Sequence, residues 1–419
     1  MKWTELNAEQ ARDLDYKIDV AADIIRRAFE TAQRPALAFS AGKDSTVLLH
    51  LIRRFAPQDQ ARDMPIIYGN TGMEFPECLQ FKRQITADWS LNLHETRPGK
   101  TNRPGLKYEG QRRVWQWLID TETIHTVLKP DGKLISTQRL EDTCHAPLRR
   151  HIEANRLIWP AGTTMSYWWC ADQYGWPILG KAWSLLDARR INIDTFLRFS
   201  QSASTDPTLL KYYDVLRQAK ISQHCCQALK KDPAERTQEQ LGVDLIFKGL
   251  MASESRNRTK NFLVRGYLFE GAKKTYLHGR PFFHCQPMAI WNDTDVWAYI
   301  HRFNVPYASL YDVTYKALDG STQKIRRNGC MGCATDFGYK NSHLYILRQT
   351  HRRAWDTFMK AGMAQEIRNL QRARHLNAQL TLFDDLPTDY LLHARPCVFD
   401  DVGGLGDAPG PHDLADPEL

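Results

Sequence analysis

The most constraining feature of this sequence is a short apolar run, Ala36-Leu37-Ala38-Phe39. It passes without a spacer into Ser40-Ala41-Gly42-Lys43-Asp44-Ser45 and then into Thr46-Val47-Leu48-Leu49-His50-Leu51-Ile52. Apolar residues closed by small polar ones read as a buried parallel strand, and the segment after the turn reads as a helix. A strand that turns straight into a helix gathers backbone N–H groups and the positive end of the helix dipole at one point, which makes a phosphate cradle. Gly42 lets an anion approach the backbone, Lys43 adds a charge, and Ser40 and Ser45 add hydroxyls. Asp44 is placed to position Mg2+. The bland alternative is a plain strand-to-helix connection capped by Ser45. The G-x-x-x-x-G-K-[ST] spacing of kinase-type phosphate loops is absent.

The same alternation continues along the chain. Residues 8–34 read as an amphipathic helix, with Leu14, Ile18, Ala21, Ile24, Ile25 and Phe29 at helical spacing and Pro35 as its stop. Pro65-Ile66-Ile67-Tyr68 reads as a second strand, Phe75 to Ala87 as a helix, and Leu91 to His94 as a third strand. Val243 to Lys248 resumes the strand pattern, and Asp293 to His301 reads as a short helix. This order predicts an α/β fold with a doubly wound, mostly parallel sheet, a helical insertion and a helical C-terminal region. The expected divisions are 1–96, 97–220, 221–340, 341–380 and 381–419. Within the insertion, Ile178–Arg189 and Pro207–Ala219 read as helices, and the last segment reads as a loosely ordered acidic tail.

The formal net charge is +8, yet Thr381 to Leu419 holds nine acidic residues and one arginine, so the body before it carries +16. Such a body suits a polyanionic ligand, a nucleotide or a longer nucleic acid, although a basic surface with no particular partner is equally consistent. No run approaches the roughly 18 apolar residues that span a bilayer, and the first residues lack the apolar core of a secretion signal. The expectation is a cytoplasmic protein without a membrane partner. Its nine cysteines are then unlikely to be a disulfide framework. Cys78, Cys144, Cys285 and Cys397 are isolated, and Cys170 sits in an aromatic setting, Tyr167-Trp168-Trp169-Cys170, that favours burial. Cys225-Cys226 and Cys330-Met331-Gly332-Cys333 form the pattern that points to chemistry.

Four segments resemble one family. Ser40 to Ser45 is similar to the S-G-G-K-D-S signature of PP-loop ATP pyrophosphatases, with Ala41 in place of the first glycine. Asn70-Thr71-Gly72-Met73-Glu74-Phe75-Pro76-Glu77 resembles the N-T-G-x-E-F-P-E segment of the phosphoadenylylsulfate reductase branch. Gly249-Leu250-Met251-Ala252-Ser253-Glu254-Ser255-Arg256-Asn257-Arg258 resembles its G-x-R-A-x-E-S-x-x-R segment, with Met251 where an arginine is usual. Pro287 to Ile300, followed by Val305-Pro306-Tyr307, resembles a fourth segment that reads as packing. The resemblance implies attack at the α-phosphate of ATP with loss of pyrophosphate. It makes Lys43, Asp44 and Arg256 the candidate catalytic residues. Gly249, Glu254, Ser255 and Arg258, with Asn70, Thr71, Gly72 and Glu74, join the turn as nucleotide-binding candidates.

Cys225-Cys226-Gln227-Ala228-Leu229-Lys230-Lys231-Asp232-Pro233 resembles the C-C-x-x-R-K-x-x-P element of iron–sulfur sulfonucleotide reductases, with Leu229 in place of the arginine. There the pair joins a later C-x-x-C, here Cys330 and Cys333, to bind a [4Fe-4S] cluster. Four thiolates also suit zinc, and unliganded thiols remain open. Assimilatory reductases carry a nucleophilic cysteine in E-C-G-[IL]-H, a segment not found here; the last cysteine lies in Arg395-Pro396-Cys397-Val398. The other branch that this chain resembles serves DNA phosphorothioation in Dnd- and Ssp-type systems. It implies DNA as acceptor and a cysteine desulfurase or other sulfur-transfer partner. Sulfonucleotide reduction, tRNA thiolation and a nucleotide-binding regulator without turnover stay open as alternatives.

Overall fold

The computed structural model describes residues 2–102, 105–107, 154, 158–178, 221–337 and 341–371. The expected helix 178–189 beyond Ile178, the helix 207–219, the tail 381–419, Cys144 and Cys397 lie outside the described residues. The chain divides into two compact units. One comprises Met1–Arg97, Lys230–Thr314 and Lys324–Gly329, and the other Pro98–Leu229, Tyr315–Gln323 and Cys330–Leu419.

The first unit is built on a six-stranded sheet of β1 (Pro35–Phe39), β2 (Ile66–Gly69), β3 (Leu93–Thr96), β4 (Leu245–Lys248), β5 (Leu268–Glu270) and β6 (Phe283–Cys285). The order across the sheet is β3-β2-β1-β4-β6-β5. Every pair is parallel except β5 with β6. The central strands are apolar on both faces, as Ala36, Leu37 and Phe39 of β1 and Leu245, Ile246 and Phe247 of β4 are all buried. A strand covered on both faces tolerates no alternation with polar residues, so short continuous runs were the right signal for a parallel sheet.

Five helices frame the site: α1 (Leu14–Thr31), α2 (Lys43–Phe55), α3 (Pro76–Asp88), α4 (Asp232–Leu241) and α5 (Arg256–Arg265). A sixth, α6 (Asp293–Phe303), follows. The first begins six residues later than the periodicity suggests, because Asp13 caps it by accepting the Tyr16 N–H at 2.8 Å. Trp3–Gln10 is a separate helix. Proline 35 opens β1, and β3 sits two residues further along than the sequence pattern places it. Strands β5 and β6, three residues each, leave too little pattern to be read in advance.

The chain moves from β1 outward to β2 and β3, then returns to β4 on the other side of β1. The C-terminal ends of β1 and β4 therefore diverge at a topological switch point, where open parallel sheets bind ligands. In the fourth matched segment, Trp291, Val296, Tyr299 and Ile300 are buried, so it serves packing as expected.

In the second unit, a helix at Tyr167–Gln173 and a helical turn at His224–Cys226 accompany the helices His343–Thr350, Arg352–Phe358 and Ala364–Gln371. Its strands include the antiparallel pair Gly105–Leu106 and Ile158–Trp159. No helix among the described residues is long and apolar enough to cross a membrane.

Candidate functional site

The turn after β1 is tied together by its own side chains. Ser45 Oγ donates to the Gly42 carbonyl at 2.9 Å, accepts the Ser40 N–H at 3.3 Å, and lies 3.1 Å from Ser40 Oγ. Ser40 Oγ also accepts the Gly42 N–H at 3.3 Å. Ala41 is buried with a φ of 54°, the left-handed region in which glycine is the easy choice. An alanine there costs on the order of 1 kcal/mol, which the surrounding bonds offset. Helix α2 starts at Lys43, three residues before the apolar run, because Gly42 acts as its N-cap. By the geometry of a helix start, the first-turn amides have no intrahelical acceptor, and one of them already has a side-chain partner. The Lys43 N–H meets Tyr311 Oη at 3.1 Å.

Two glycines in this region are needed for close approach. A Cβ on Gly42 would lie 2.6 Å from Asn328 Oδ1, and Asn328 Nδ2 donates to the Ser40 carbonyl at 2.9 Å. Asn328 was not singled out from the sequence; it stands in a segment with no strand or helix pattern. A Cβ on Gly249 would lie 3.0 Å from the Asp44 carbonyl oxygen and 3.2 Å from the Ser45 nitrogen. The end of β4 thus runs against the first turn of α2, backbone to backbone.

Lys43 is almost fully buried, 3% exposed, and its ammonium is held between two carboxylates. Nζ lies 2.7 Å from Asp44 Oδ1 and 2.8 Å from Asp293 Oδ1. It also sits 5.7 Å from the centre of the Tyr311 ring. Burial, with the charge of Asp44 second, keeps the Tyr311 hydroxyl protonated well above its usual range. Asp293 was read only as a helix start.

The second matched segment is a closed loop at the end of β2. The Glu74 carboxylate accepts from the Thr71 N–H (2.9 Å), Thr71 Oγ1 (2.7 Å) and the Met73 N–H (3.1 Å). Asn70 Oδ1 accepts the Gly72 N–H at 2.9 Å, and Gly72 has a φ of 75°. Asn70 Nδ2 and Lys82 Nζ each reach Glu95 at 2.5 Å. In this structure Asn70 and Glu74 shape the loop.

In the third segment, Glu254 accepts the Met251 N–H at 3.0 Å and pairs with Arg258, while Arg327 lies 3.8 Å from it. Ser255 caps α5 by accepting the Arg258 N–H at 3.3 Å, and Arg256 is the exposed first residue of that helix. Met251, where an arginine is usual, is buried.

In the second unit the four expected cysteines share one neighbourhood, and Cys170 joins them. Tyr167 is fully buried, and its hydroxyl donates to the Gly332 carbonyl at 2.7 Å. Burial raises this hydroxyl, and the charges of Cys225, Cys333, Cys330 and Cys170 act on it as well. The Cys225 thiol is pushed up by its hydrogen bond with the Cys226 thiol and by burial, with Cys170 and Cys333 contributing. Burial, then Cys226, pushes Cys170 up to about 12. Within the C-x-x-C turn, the Cys333 N–H donates to the Cys330 carbonyl at 2.9 Å, and Thr335 Oγ1 lies 3.4 Å from Cys333 Sγ.

The seven described cysteines are all thiols. Among the described residues no group of three or more His, Cys, Asp or Glu side chains is gathered closely enough to hold a metal ion. Four thiol donors in one neighbourhood suit a thiolate-bound centre in chemical type, but they are not gathered into a coordination shell. Cys78 and Cys285 are buried thiols, as expected, with Cys78 hydrogen-bonded to Asn328 and pushed up to about 12 by burial first and the Glu77 charge second.

Gly332, inside the C-x-x-C turn, faces Tyr167 Oη and the Phe358 ring, and an added Cβ would collide with both. Gly332→Ala is expected to cost about 1–3 kcal/mol through overpacking and loss of the Tyr167 bond. A urea midpoint unchanged from the parent protein would contradict this packing.

A family model described as the phosphoadenosine phosphosulfate reductase domain matches residues 34–155 and 188–335. A phosphoadenosine 5'-phosphosulfate reductase of Xylella fastidiosa (strain M12) is 39% identical over 98 residues, which are 22% of this chain and 38% of that protein. A sulfate adenylyltransferase subunit 2 of Rhizobium tropici is 38% identical over 73 residues, 17% of this chain and 22% of that protein. The chain thus spans 38% and 22% of the lengths of these curated relatives. Among solved structures, phosphoadenylyl-sulfate reductase from Candida auris in a phosphate complex is similar with a TM-score of 0.32 and 14% identity, over 74% of this chain and 92% of that one.

Proposed function

Because the chain belongs to the phosphoadenosine phosphosulfate reductase domain family, we propose that it is a nucleotide-using enzyme of sulfur chemistry that splits ATP between its α- and β-phosphates. The observation that carries this reading is the contact of Gly249 with the Asp44–Ser45 backbone at the switch point of the sheet. It sets the first-turn amides of α2 and the Glu254–Arg258 segment at the ends of neighbouring strands.

In this reading a substrate oxygen attacks the α-phosphorus and pyrophosphate leaves with the electron pair of the broken P–O bond. Lys43 and the helix start stabilise the charge that develops on it. Arg256 and Arg258 are the further candidates for phosphate contact, and Asp44 would position Mg2+, which when bound would neutralise phosphate charge. A sulfur nucleophile at the sulfide level then attacks the activated acceptor phosphorus and AMP leaves with the electron pair of the P–O bond; a persulfide donor would need two electrons from a thiol reductant to deliver sulfur at that level. The favoured acceptor is the DNA backbone, with a cysteine desulfurase or other sulfur-transfer protein as donor, and the +16 of the chain before its acidic end suits that polyanion. Cys225, Cys226, Cys330 and Cys333 would hold a [4Fe-4S] cluster, and no step is assigned to it.

Sulfonucleotide reduction is the second reading, favoured by the reductase relatives. Product analysis separates the two. Incubation with ATP and DNA should yield AMP and pyrophosphate, and ADP as product would exclude the assignment. Sulfite released from a sulfonucleotide and a thiol reductant, without ATP cleavage, would establish the second reading. Nucleotide binding with no turnover under either condition would indicate a regulator. Anaerobically purified protein should be brown and contain iron, and Cys226→Ser should bleach it; a colourless preparation containing zinc would refute the cluster.

A further inference from the structure

Lys43 is the most buried cation of the nucleotide turn, and two carboxylates already hold it. The ammonium with Asp44 and Asp293 sums to a local charge of −1. Arg258, a second cation of the same region, is committed to Glu254. A bare polyanion that reaches Lys43 therefore meets a triad of net negative charge, whatever Arg256 and Arg327 contribute nearby, and must first separate the ammonium from both carboxylates. A nucleotide that arrives with a divalent cation meets a different balance. It presents less negative charge, and its cation offsets the carboxylates as the phosphates take the ammonium.

Asp293 has a fixed main chain. It is the first residue of α6, whose N-terminus is fixed by the Asn292–Asp295 capping box. Lys17 fixes it further by binding Asp295 at 2.7 Å. Yet its side chain is 50% exposed, so the local fold does not depend on burying it. A carboxylate anchored by its backbone, open to water and aimed at a buried ammonium, acts on that ammonium more than on stability.

We infer that Asp293 is a positioning residue that withholds Lys43 from an incoming polyanion until a divalent cation compensates it. The turn thereby selects the cation complex of a nucleotide over the bare nucleotide or a metal-free sulfonucleotide. This rests on the reading of Ser40–Ser45 as the nucleotide site.

The test is calorimetric binding of ATP to the full chain, in EDTA and in Mg2+, for the parent protein, Asp293→Asn, Asp293→Glu and Lys43→Ala. Asp293→Ser, which keeps a good helix-start residue, replaces Asp293→Asn should that variant not fold. The parent protein should bind ATP at least about tenfold more tightly with Mg2+ than without. Asp293→Asn should bind metal-free ATP about tenfold more tightly than the parent, so that the advantage of Mg2+ shrinks towards none. Asp293→Glu should restore that advantage. An Mg2+ ratio that is the same in Asp293→Asn and the parent overturns the inference, provided that Lys43→Ala weakens binding. Binding that is indifferent to Lys43→Ala in both buffers removes the nucleotide from this turn, and then the functional reading falls too.

Discussion

Lys43→Ala is expected to slow formation of AMP and pyrophosphate by about 10²- to 10³-fold, the usual loss when one preorganised charge is removed from a developing anion. The side chain is 3% exposed and paired with Asp44 and Asp293, and the phosphate takes its ammonium over once their charge is offset. Removing it deletes the charge and leaves two carboxylates facing the site. Those carboxylates are 26% and 50% exposed, so water screens their repulsion and the protein should stay folded. Pyrophosphate release at saturating ATP measures the effect, with a melting curve as control. A fall of less than about threefold in a folded protein would detach Lys43 from the chemistry.

Lys17→Ala is expected to lower the stability of the first unit by about 3–5 kcal/mol. The Lys17 side chain is 1% exposed, and Nζ donates to the Gln10 carbonyl and to Asp295 Oδ2, each at 2.7 Å. Asp295 also accepts the Asn292 N–H at 2.8 Å, which closes the capping box of α6. Truncation would therefore strand a carboxylate that is 14% exposed, empty a packed space beside α1, and loosen the helix start that carries Asp293. Lys17→Met combined with Asp295→Asn, which removes both charges and keeps the volume, should recover most of the loss. Urea unfolding followed by intrinsic fluorescence measures all three proteins. Equal stability of Lys17→Ala and the parent would mean that water reaches this pair freely.

Much of the turn after β1 was legible because it is local. Ser40 to Ser45 are consecutive, and a small-residue turn between an apolar strand and a helix has few other conformations open to it. Ala41 shows the limit of that reading. Its left-handed φ of 54° explains why a glycine is usual there, and it shows that the surrounding serine bonds hold an alanine in the same conformation. Asp293, Asn328 and Tyr311 were missed as parts of the site for one reason. Each reaches the turn from more than 240 residues away in sequence, through side-chain contacts that leave no periodic trace.

By itself the sequence determined the parallel α/β class and the strand–turn–helix at Ser40–Ser45, and resemblance joined Cys225-Cys226 to Cys330 and Cys333. The first two follow from short-range patterns: continuous apolar runs and a small-residue turn between a strand and a helix. Only the tertiary structure decided what the charged groups do. It placed Lys43 between two carboxylates, turned Glu74 and Asn70 into braces of their own loop, and set Cys170 beside the other four thiols. The reason is physical. Backbone conformation is settled by neighbours within a few residues, whereas the state of a charge is settled by whatever lies within a few ångströms in space, and that depends on how distant strands and helices come to lie together.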